Sequence, residues 1–363
     1  MSTFGIDADK EWRRRNNVIE LDPRKDRVEG RIASAIKQQS VKWLWENRLA
    51  LGKIALIGGY PGVGKSQMVI DWIARMTSGG RWPTGELAPP GNAIILSSED
   101  DAADTICPRL EAAGAMLEGV YILGSVKCGE GKRRTFSLQR DLEMLERVLQ
   151  ERPHTRLLMI DPVTAYLGEI DSHRTTDVRS ALSPLEEFAA AKDIAVASIT
   201  HPPKGVSGNA INSFTGSLAF AAAPRLCHIC VSEPDSDRKL FLAVKNNLGP
   251  LHKGHGYSVI AKNLDSGIVA PRIVWDDAPV DVTASEAIYA ANQANRPESK
   301  MGSAKTFLES ALADGARLKS EIEEDAKRAG ISGITLRRAQ IELGIVYSRK
   351  GFPAVGMWEL PQR

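Results

Sequence analysis

Residues 54–66 read IALIGGYPGVGKS, and this stretch decides the fold of the chain. The apolar run from Ile54 to Gly59 has the character of a buried strand. From Lys65 onwards apolar side chains recur at helical spacing, in KSQMVIDWIARMTSG. Between the strand and the helix, Gly59 to Ser66 match the pattern GxxxxGK[ST], whose backbone N–H groups fold round a phosphate. The sequence therefore predicts a phosphate-binding loop for a nucleotide.

Each residue type in this loop has a physical reason. Glycine allows the backbone to approach the phosphates, since a side chain would block that approach. Lys65 is expected to reach the β- and γ-phosphates of ATP, and Ser66 to bind Mg²⁺. The start of the helix adds its positive end to the same anion. The predicted binding residues for the cofactors ATP and Mg²⁺ are Gly59, Pro61, Gly62, Val63, Gly64, Lys65, Ser66 and Gln67.

The rest of the chain predicts an α/β fold with a mostly parallel central sheet. The apolar runs AIILSSED, RLLMIDP and IAVASITH alternate with helical patterns and lack polar alternation. Such runs are typical of parallel strands that helices cover on both faces. Two further strands, RLCHICVSE and KLFLAVKNN, are separated by the polar turn PDSD and predict a hairpin that closes one edge of the sheet.

The length of 363 residues exceeds that of one usual domain. We expect a flexible N-terminal arm over 1–30, an ATPase domain over 31–280, a polar linker over 281–303 and a C-terminal domain over 304–363. The last segment has three short helical patterns followed by a strand pair, which predicts a small winged-helix-like domain.

Composition narrows the class of protein. Apolar residues make up 43% and charged residues 25% of the chain, which excludes a largely disordered protein. The formal charge of +2 gives no indication for or against a nucleic-acid partner, because a local basic surface binds phosphate whatever the net charge is. The sequence has no long apolar run and its start lacks an apolar signal segment. We therefore expect a cytoplasmic protein without a membrane partner.

Acidic residues follow two of the predicted strands. Asp161 ends the strand RLLMID, where a carboxylate accepts from magnesium-bound water, although an Asp before Pro162 is also a common turn residue. Glu99 follows the strand AIIL at the same edge of the sheet, where it is placed to orient and deprotonate the attacking water. Asp100 is the alternative candidate for this role. Of the acidic cluster Glu99, Asp100 and Asp101, one residue could instead be the N-cap of the next helix.

Four further polar residues have two interpretations each. His201 follows the strand IAVASIT and either senses the γ-phosphate or is an ordinary polar residue. Lys204 lies in the next loop and either contacts nucleic acid or phosphate or is a solvated loop lysine, which is favoured. Arg225 and Lys245 flank later strands without an evident partner. Either they act on the nucleotide of a neighbouring subunit, as an arginine finger does, or they form surface salt bridges.

Cysteines and tryptophans also admit two uses. Cys227 and Cys230 form a CxxC pair, but a zinc site needs about four ligands and no second pair stands at suitable spacing, so burial on the strand LCHICV is favoured. Trp43 and Trp45 lie in the alternating segment WLW. They either stack on an adenine ring or pack within a strand, and packing is favoured.

Five motifs stand in a fixed order between about Val41 and Ile260: WLWENRLALGKIALIGGYPGVGKS, ILSSEDDAADTICPRLEAAG, LLMIDPVTAYLG, ASITHPPKG and FLAVKNNLG. In order and spacing they resemble the RecA-like hexameric ATPases. The likeness is greatest to the plasmid RepA-type replicative helicases and to related AAA family ATPases of phages and other mobile elements.

This resemblance implies a RecA-like P-loop fold and a homohexamer with ATP bound between subunits. Single-stranded DNA is the implied partner, held in a central channel lined by the loop of Lys204 and 205–217. The implied catalytic residues are Lys65, Glu99 as the catalytic carboxylate, Asp161 as the Walker B acid, His201 as the γ-phosphate switch and Arg225 as a finger acting in trans. Lys245 matches a position that also faces the neighbour's nucleotide.

The chain departs from the small plasmid helicases in its N-terminal extension and its C-terminal module. The ending GFPAVGMWELP looks like that of ATPase and primase-helicase proteins of mobile elements. The segment TLRRAQIELGI is either a DNA recognition helix, with Arg337 and Arg338 near phosphates and Lys350 on a wing, or part of a protein-binding module.

Three functions therefore stay open. The first is a DNA-dependent ATPase or replicative helicase, with a replication protein as a further partner. The second is a regulatory or loader ATPase that assembles on a protein and never unwinds DNA. The third is a partition or repression factor whose DNA binding is controlled by the nucleotide.

Overall fold

A computed structural model describes residues 32–168, 170, 174–200, 218–294, 297–350 and 355–361. The chain divides into two units, Met1–Ser40 and Val41–Arg363. In the first unit, a short 3₁₀ turn spans Ala33–Ala35. Among the described residues, no helix is long and apolar enough to cross a membrane.

The second unit begins with strand, loop and helix, as the opening motif predicts. Its first part contains β1 (Trp43–Trp45), β2 (Leu49–Ala50), β3 (Ile54–Gly59), α1 (Lys65–Thr77), β4 (Asn92–Ser97), α2 (Cys107–Ala113), β5 (Val120–Leu123), β6 (Val126–Lys127), β7 (Arg133–Arg134), α3 (Leu142–Glu151), β8 (Thr155–Asp161), α4 (Thr175–Lys192) and β9 (Ala195–Ile199). Its second part contains α5 (Leu218–Ala222), β10 (Leu226–Ser232), β11 (Lys239–Asn246), β12 (Gly254–Asn263), β13 (Val269–Val280), α6 (Ala284–Ala294), α7 (Pro297–Ala311), β14 (Arg317–Leu318), α8 (Lys319–Arg328), α9 (Gly333–Glu342), β15 (Val346–Lys350) and β16 (Val355–Glu359).

In the described part of the chain the central sheet has nine strands, in the order β13-β12-β11-β10-β3-β9-β8-β4-β5. From β10 to β5 neighbouring strands run parallel, and from β10 to β13 they run antiparallel. The predicted α/β fold with a mostly parallel central sheet is therefore confirmed.

Alternate residues of β3 show why its sequence lacks polar alternation. Ile54 and Leu56 pack into one core cluster, while Ala55 and Ile57 pack into another on the opposite face of the sheet. All six residues of the strand are buried. A strand covered on both faces gains from apolar side chains at every position.

The hairpin of β10 and β11 is confirmed, but its predicted place at the edge is wrong. β12 and β13 continue the sheet beyond β11, and β13 forms the edge. These two strands pair with each other over a long register, from Gly254 with Val280 to Asn263 with Val269. Their sequences mix exposed and buried residues, because this arm of the sheet extends partly into solvent. They therefore lack the apolar run that marks the parallel strands.

The segment 281–303, predicted as a polar linker, is largely helical in α6 and α7. In α6 the residues Ala284, Ala287 and Ile288 recur at helical spacing and pack into the first core cluster. The Asn and Gln residues of this segment are typical of a linker, but those in α6 share a helix with these apolar side chains. The division of the chain into domains at these boundaries stays a prediction.

The C-terminal module, α7 to β16, has its own core. Leu308, Ile322, Leu336 and Trp358 lie in one buried cluster. The three predicted helices and the strand pair are present, and the short β14 adds a third strand beside β16. The winged-helix interpretation of this module stays a prediction.

The interpretations that favoured packing of the two tryptophans and burial of the two cysteines are confirmed, and Trp43 is partly buried against the cluster that contains Trp45. Trp45 is 1% exposed and stacks on Trp82, with 5.1 Å between ring centroids. Cys227 and Cys230 are both buried on β10 and belong to opposite core clusters, since residues three apart on a strand face opposite ways. The two thiols therefore do not converge on a shared ion.

Candidate functional site

The phosphate loop connects β3 to α1, and glycine is required at three of its positions. Gly62 and Gly64 each have φ of +84°, in the left-handed region that disfavours other residues. A Cβ added to Gly59 would lie 2.5 Å from the carbonyl oxygen of Cys230 on the neighbouring strand. Gly59 itself has φ of +145°, so backbone conformation favours glycine at all three positions and close packing excludes a side chain at Gly59 as well.

Lys65 opens α1 with its side chain folded into the loop. Its side chain is buried, and Nζ donates hydrogen bonds to the carbonyl oxygens of Gly59 at 2.7 Å and Tyr60 at 3.1 Å. Burial lowers the pKa of Lys65, while the negative charges of Asp161 and Glu99 oppose that change. The ammonium group is thus held in the loop within the field of both predicted carboxylates.

Asp161 is the last residue of β8 and is 1% exposed. Its register partner is Ser97 at the end of β4, so both strands end at the same edge of the sheet. Its charge also acts on Tyr166, whose pKa is raised to about 12, mainly by burial. Asp161 is therefore a strand residue, not part of a solvated turn. Its magnesium role stays a prediction.

Within the acidic cluster each residue has a separate position. The Asp101 side chain accepts from the backbone N–H groups of Ala103 and Asp104, so it is the N-cap. Asp100 accepts a hydrogen bond from Arg109 at 2.7 Å. Glu99 is exposed, and of the three it is the one whose charge acts on Lys65. This arrangement supports Glu99 over Asp100 as the candidate catalytic carboxylate.

The residues of this edge fit ATP with Mg²⁺. Ser66 is half-buried in the first turn of α1, next to the buried ammonium of Lys65. Gln67 is 3% exposed, and neither polar atom of its amide finds a hydrogen-bond partner within the described residues. Buried polar groups normally have a hydrogen-bond partner, so this amide has donors and acceptors that an ordered water or a bound polar group would satisfy.

Arg225 lies far from the phosphate loop of its own chain. In the parallel register of β10 with β3, Leu226 stands beside Ala55 and Cys230 beside Gly59. Arg225 therefore lies at the amino edge of the sheet, whereas the phosphate loop lies at the carboxyl edge. The structure does not bring these two predicted site elements together within one chain.

Lys245 lies at the same amino edge and has a structural role there. Its Nζ donates to the carbonyl oxygens of Ala221 at 2.9 Å, Ala222 at 3.2 Å and Pro224 at 2.8 Å. These bonds engage all three donors of the ammonium at the carboxyl end of α5. A role of Lys245 at a neighbour's nucleotide would require exchange of these contacts.

Three predicted features, His201, Lys204 and the loop 205–217, lie outside the described residues. The residue before them, Thr200, is buried, and its backbone N–H donates to the carbonyl oxygen of Ile57 at 3.0 Å. This bond holds the end of β9 beside β3, next to the phosphate loop.

Sequence reasoning missed one residue of the site. Tyr257 on β12 is 0% exposed, and its hydroxyl donates to the carbonyl oxygen of Val63 at 2.7 Å. No motif marks this tyrosine, since it lies 194 positions from Val63 on a strand that the sequence did not predict.

Comparison with known proteins agrees with the loop geometry. Residues 20–207, just over half of the chain, match the AAA domain family (AAA_25). The chain belongs to this family. The matched range of the AAA domain contains the phosphate loop, Glu99, Asp161 and His201.

One solved structure similar to this AAA domain protein is described as "The Structure Of A DnaB-Like Replicative Helicase And Its Interactions With Primase". The sequence identity is 13% and the TM-score is 0.43. The match covers 58% of this chain and 55% of that one, so the chain spans about half the length of the structure it matches. No curated protein matches the sequence.

Proposed function

We propose that this AAA domain protein hydrolyses ATP to move along single-stranded DNA, as a replicative helicase of a plasmid, phage or integrated element. One observation carries the ATPase part of the proposal. The Lys65 ammonium is held inside a glycine loop, within the field of Asp161 and Glu99 at the carboxyl edge of a parallel sheet. Ligands of open α/β sheets bind at this edge.

Each residue of the edge has a distinct role in hydrolysis. Lys65 and the loop N–H groups bind the β- and γ-phosphates, while Ser66 and Asp161 hold Mg²⁺. When bound, Mg²⁺ neutralises charge on the phosphate oxygens. Glu99 orients the attacking water and accepts its proton, for which its exposed carboxylate at the mouth of the site is suited.

The proposal includes a homohexamer. Arg225 is exposed at the amino edge of the sheet, away from the phosphate loop of its own chain. A cation in that position completes a nucleotide site when the amino edge of one subunit faces the carboxyl edge of the next. His201 as the phosphate switch and the loop 205–217 as the DNA contact belong to the same proposal and rest on the resemblance of their motifs.

An alternative function has one observation in its favour. The predicted channel loop consists of Lys204 and residues 205–217, which read GVSGNAINSFTGS, so Lys204 is the one charged residue of its sequence. A channel that tracks a DNA backbone usually presents basic side chains. The alternative is a regulatory or loader ATPase that assembles on a protein partner without unwinding DNA.

Hydrolysis of ATP with and without single-stranded DNA distinguishes the two functions, with the Lys65→Ala variant as the blank. We expect single strands to stimulate turnover at least several-fold, and an unwinding assay would then follow. Turnover that ignores DNA supports the regulatory alternative. Equal rates for the natural protein and Lys65→Ala contradict both functions.

A further inference from the structure

The phosphate loop rests on the antiparallel arm of the sheet. A Cβ added to Gly64 would lie 3.1 Å from Val259 Cγ2 and 4.0 Å from Ile273 Cδ1. Both of these side chains belong to β12 and β13, the strands that sequence analysis did not predict. The space beside Gly64 is therefore lined by side chains of these two strands, which leave no room for a side chain at this position of the loop.

Tyr257 makes the polar contact in this interface. Its hydroxyl donates to the carbonyl oxygen of Val63 at 2.7 Å, and Val63 itself is 3% exposed. A buried carbonyl oxygen without a donor costs free energy. The Val63 carbonyl precedes α1 and takes no part in the hydrogen bonds of that helix, so the tyrosine hydroxyl supplies its donor. Burial raises the pKa of Tyr257 well above its ordinary value, which keeps the hydroxyl protonated as a donor.

The bond fixes a peptide plane. The peptide between Val63 and Gly64 is planar and trans, so its carbonyl and its N–H point in opposite directions. Tyr257 holds the carbonyl on the side of the sheet. The Gly64 N–H then points to the other side, and N–H groups of such loops bind the phosphates from there.

We infer that Tyr257 is a positioning residue of the phosphate loop, which orients the Gly64 N–H toward the nucleotide through its bond to the Val63 carbonyl. This inference rests on the proposed nucleotide binding. It gives β12 a function besides extending the sheet.

The test removes only the hydroxyl. In the full-length Tyr257→Phe variant we expect the dissociation constant for ADP with Mg²⁺, measured by calorimetry, to rise about tenfold because one loop donor loses its fixed direction. The matched control is Ile194→Val, a buried change near Gly52 that lowers the melting temperature without contact to the loop. The control should bind ADP as the natural protein does.

A second readout needs no nucleotide. In ¹⁵N-glycine-labelled protein, the Gly64 amide resonance reports the hydrogen bond made by the carbonyl of the same peptide group. We expect this resonance to shift in Tyr257→Phe and to stay in place in Ile194→Val.

Two binding results overturn the inference: unchanged ADP affinity in Tyr257→Phe, or an equal loss of affinity in the Ile194→Val control. If the natural protein binds ADP no better than Lys65→Ala, the proposed nucleotide binding fails. The Gly64 resonance then tests separately whether Tyr257 orients this peptide group, and an unmoved resonance in Tyr257→Phe overturns that part of the inference.

Discussion

Glu99 and Asp100 are neighbours in sequence, yet their surroundings differ. Asp100 is tied to Arg109 at 2.7 Å, whereas the charge of Glu99 acts on Lys65 and Tyr166. An acid that accepts a proton from water must lie within reach of the phosphate site, and its charge must be available there. At the residue scale, the ion pair of Asp100 with Arg109 thus distinguishes it from Glu99, although the sequence alone leaves both as candidates for the catalytic carboxylate.

We therefore expect Glu99→Gln to lower the rate of ATP hydrolysis by about 10²-fold or more, while ADP affinity stays within about twofold. Asp100→Asn is the matched control and should keep most of the rate. Single-turnover hydrolysis and calorimetry measure the two quantities. A loss of rate in Asp100→Asn as large as that in Glu99→Gln would contradict the assignment.

At the scale of secondary-structure elements, an ion pair connects β7 to the start of α3. Arg134 donates to both oxygens of Asp141 at 2.6 Å, and the Ser137 N–H donates to Asp141 at 2.8 Å. The hydrogen bond from Arg134 is the main reason that the pKa of Asp141 is lowered. Arg134 is half-buried in this contact.

Asp141→Ala should destabilise the protein by about 1 to 3 kcal/mol, because the buried Ser137 N–H then loses its acceptor. Arg133→Ala on the same hairpin is the control, since the Arg133 side chain is exposed. Urea unfolding followed by circular dichroism measures both variants. Equal stability of Asp141→Ala and the natural protein would show that the contact contributes nothing.

At the scale of the whole molecule, the buried imidazole of His228 and the half-buried imidazole of His252 make stability depend on pH. His228 is 0% exposed, with Nε2 at 2.9 Å from the Arg48 carbonyl oxygen and Nδ1 at 3.1 Å from His252 Nε2. Burial lowers the pKa of His228 to about 4 and that of His252 to about 2. Both groups are thus neutral in the folded protein, while the unfolded chain takes up protons near the ordinary pKa of 6.5.

Between about pH 4 and pH 6.5, the folded and unfolded pKa values of His228, the unfolded state binds more protons than the folded state. The free energy of unfolding therefore has its full value above pH 6.5 and falls as the pH decreases toward 4. We expect His228 alone to contribute a loss of about 1.4 kcal/mol per pH unit in that range. Urea unfolding at pH 7 and pH 5 measures this slope. His228→Gln should reduce it, and an unchanged slope in that variant would exclude His228 as a cause.

The proposed hexamer predicts a result that a single chain does not give. Arg225→Ala should bind ADP normally but lose about 10³-fold in hydrolysis, as a finger acting in trans requires. Mixing it with Lys65→Ala should restore part of the activity, because some interfaces then combine an intact loop with an intact Arg225. Arg179→Ala, another exposed arginine, is the control variant. If mixing restores no activity, Arg225 does not act in trans.

The sequence by itself determined the phosphate loop, the parallel strands and the position of Asp161, since each depends on neighbours close in the chain. The backbone conformation at Gly62 and Gly64 requires glycine, and burial on both faces of β3 requires apolar residues. Both requirements are therefore visible in the sequence at these positions. Only the tertiary structure decided the extension of the sheet by β12 and β13, the presence of α6 and α7 where a linker is predicted, and the separate positions of Glu99, Asp100 and Asp101.

Tyr257 shows why such contacts cannot be predicted from the sequence alone. Its contact with Val63 joins residues 194 positions apart, and a hydrogen bond across that separation imposes no spacing or periodicity on the sequence. Arg225 shows the same limit, because the register of β10 with β3 places it at the edge opposite the phosphate loop. Local pattern specifies the elements and the loop, while strand pairing alone decides which side chains surround them.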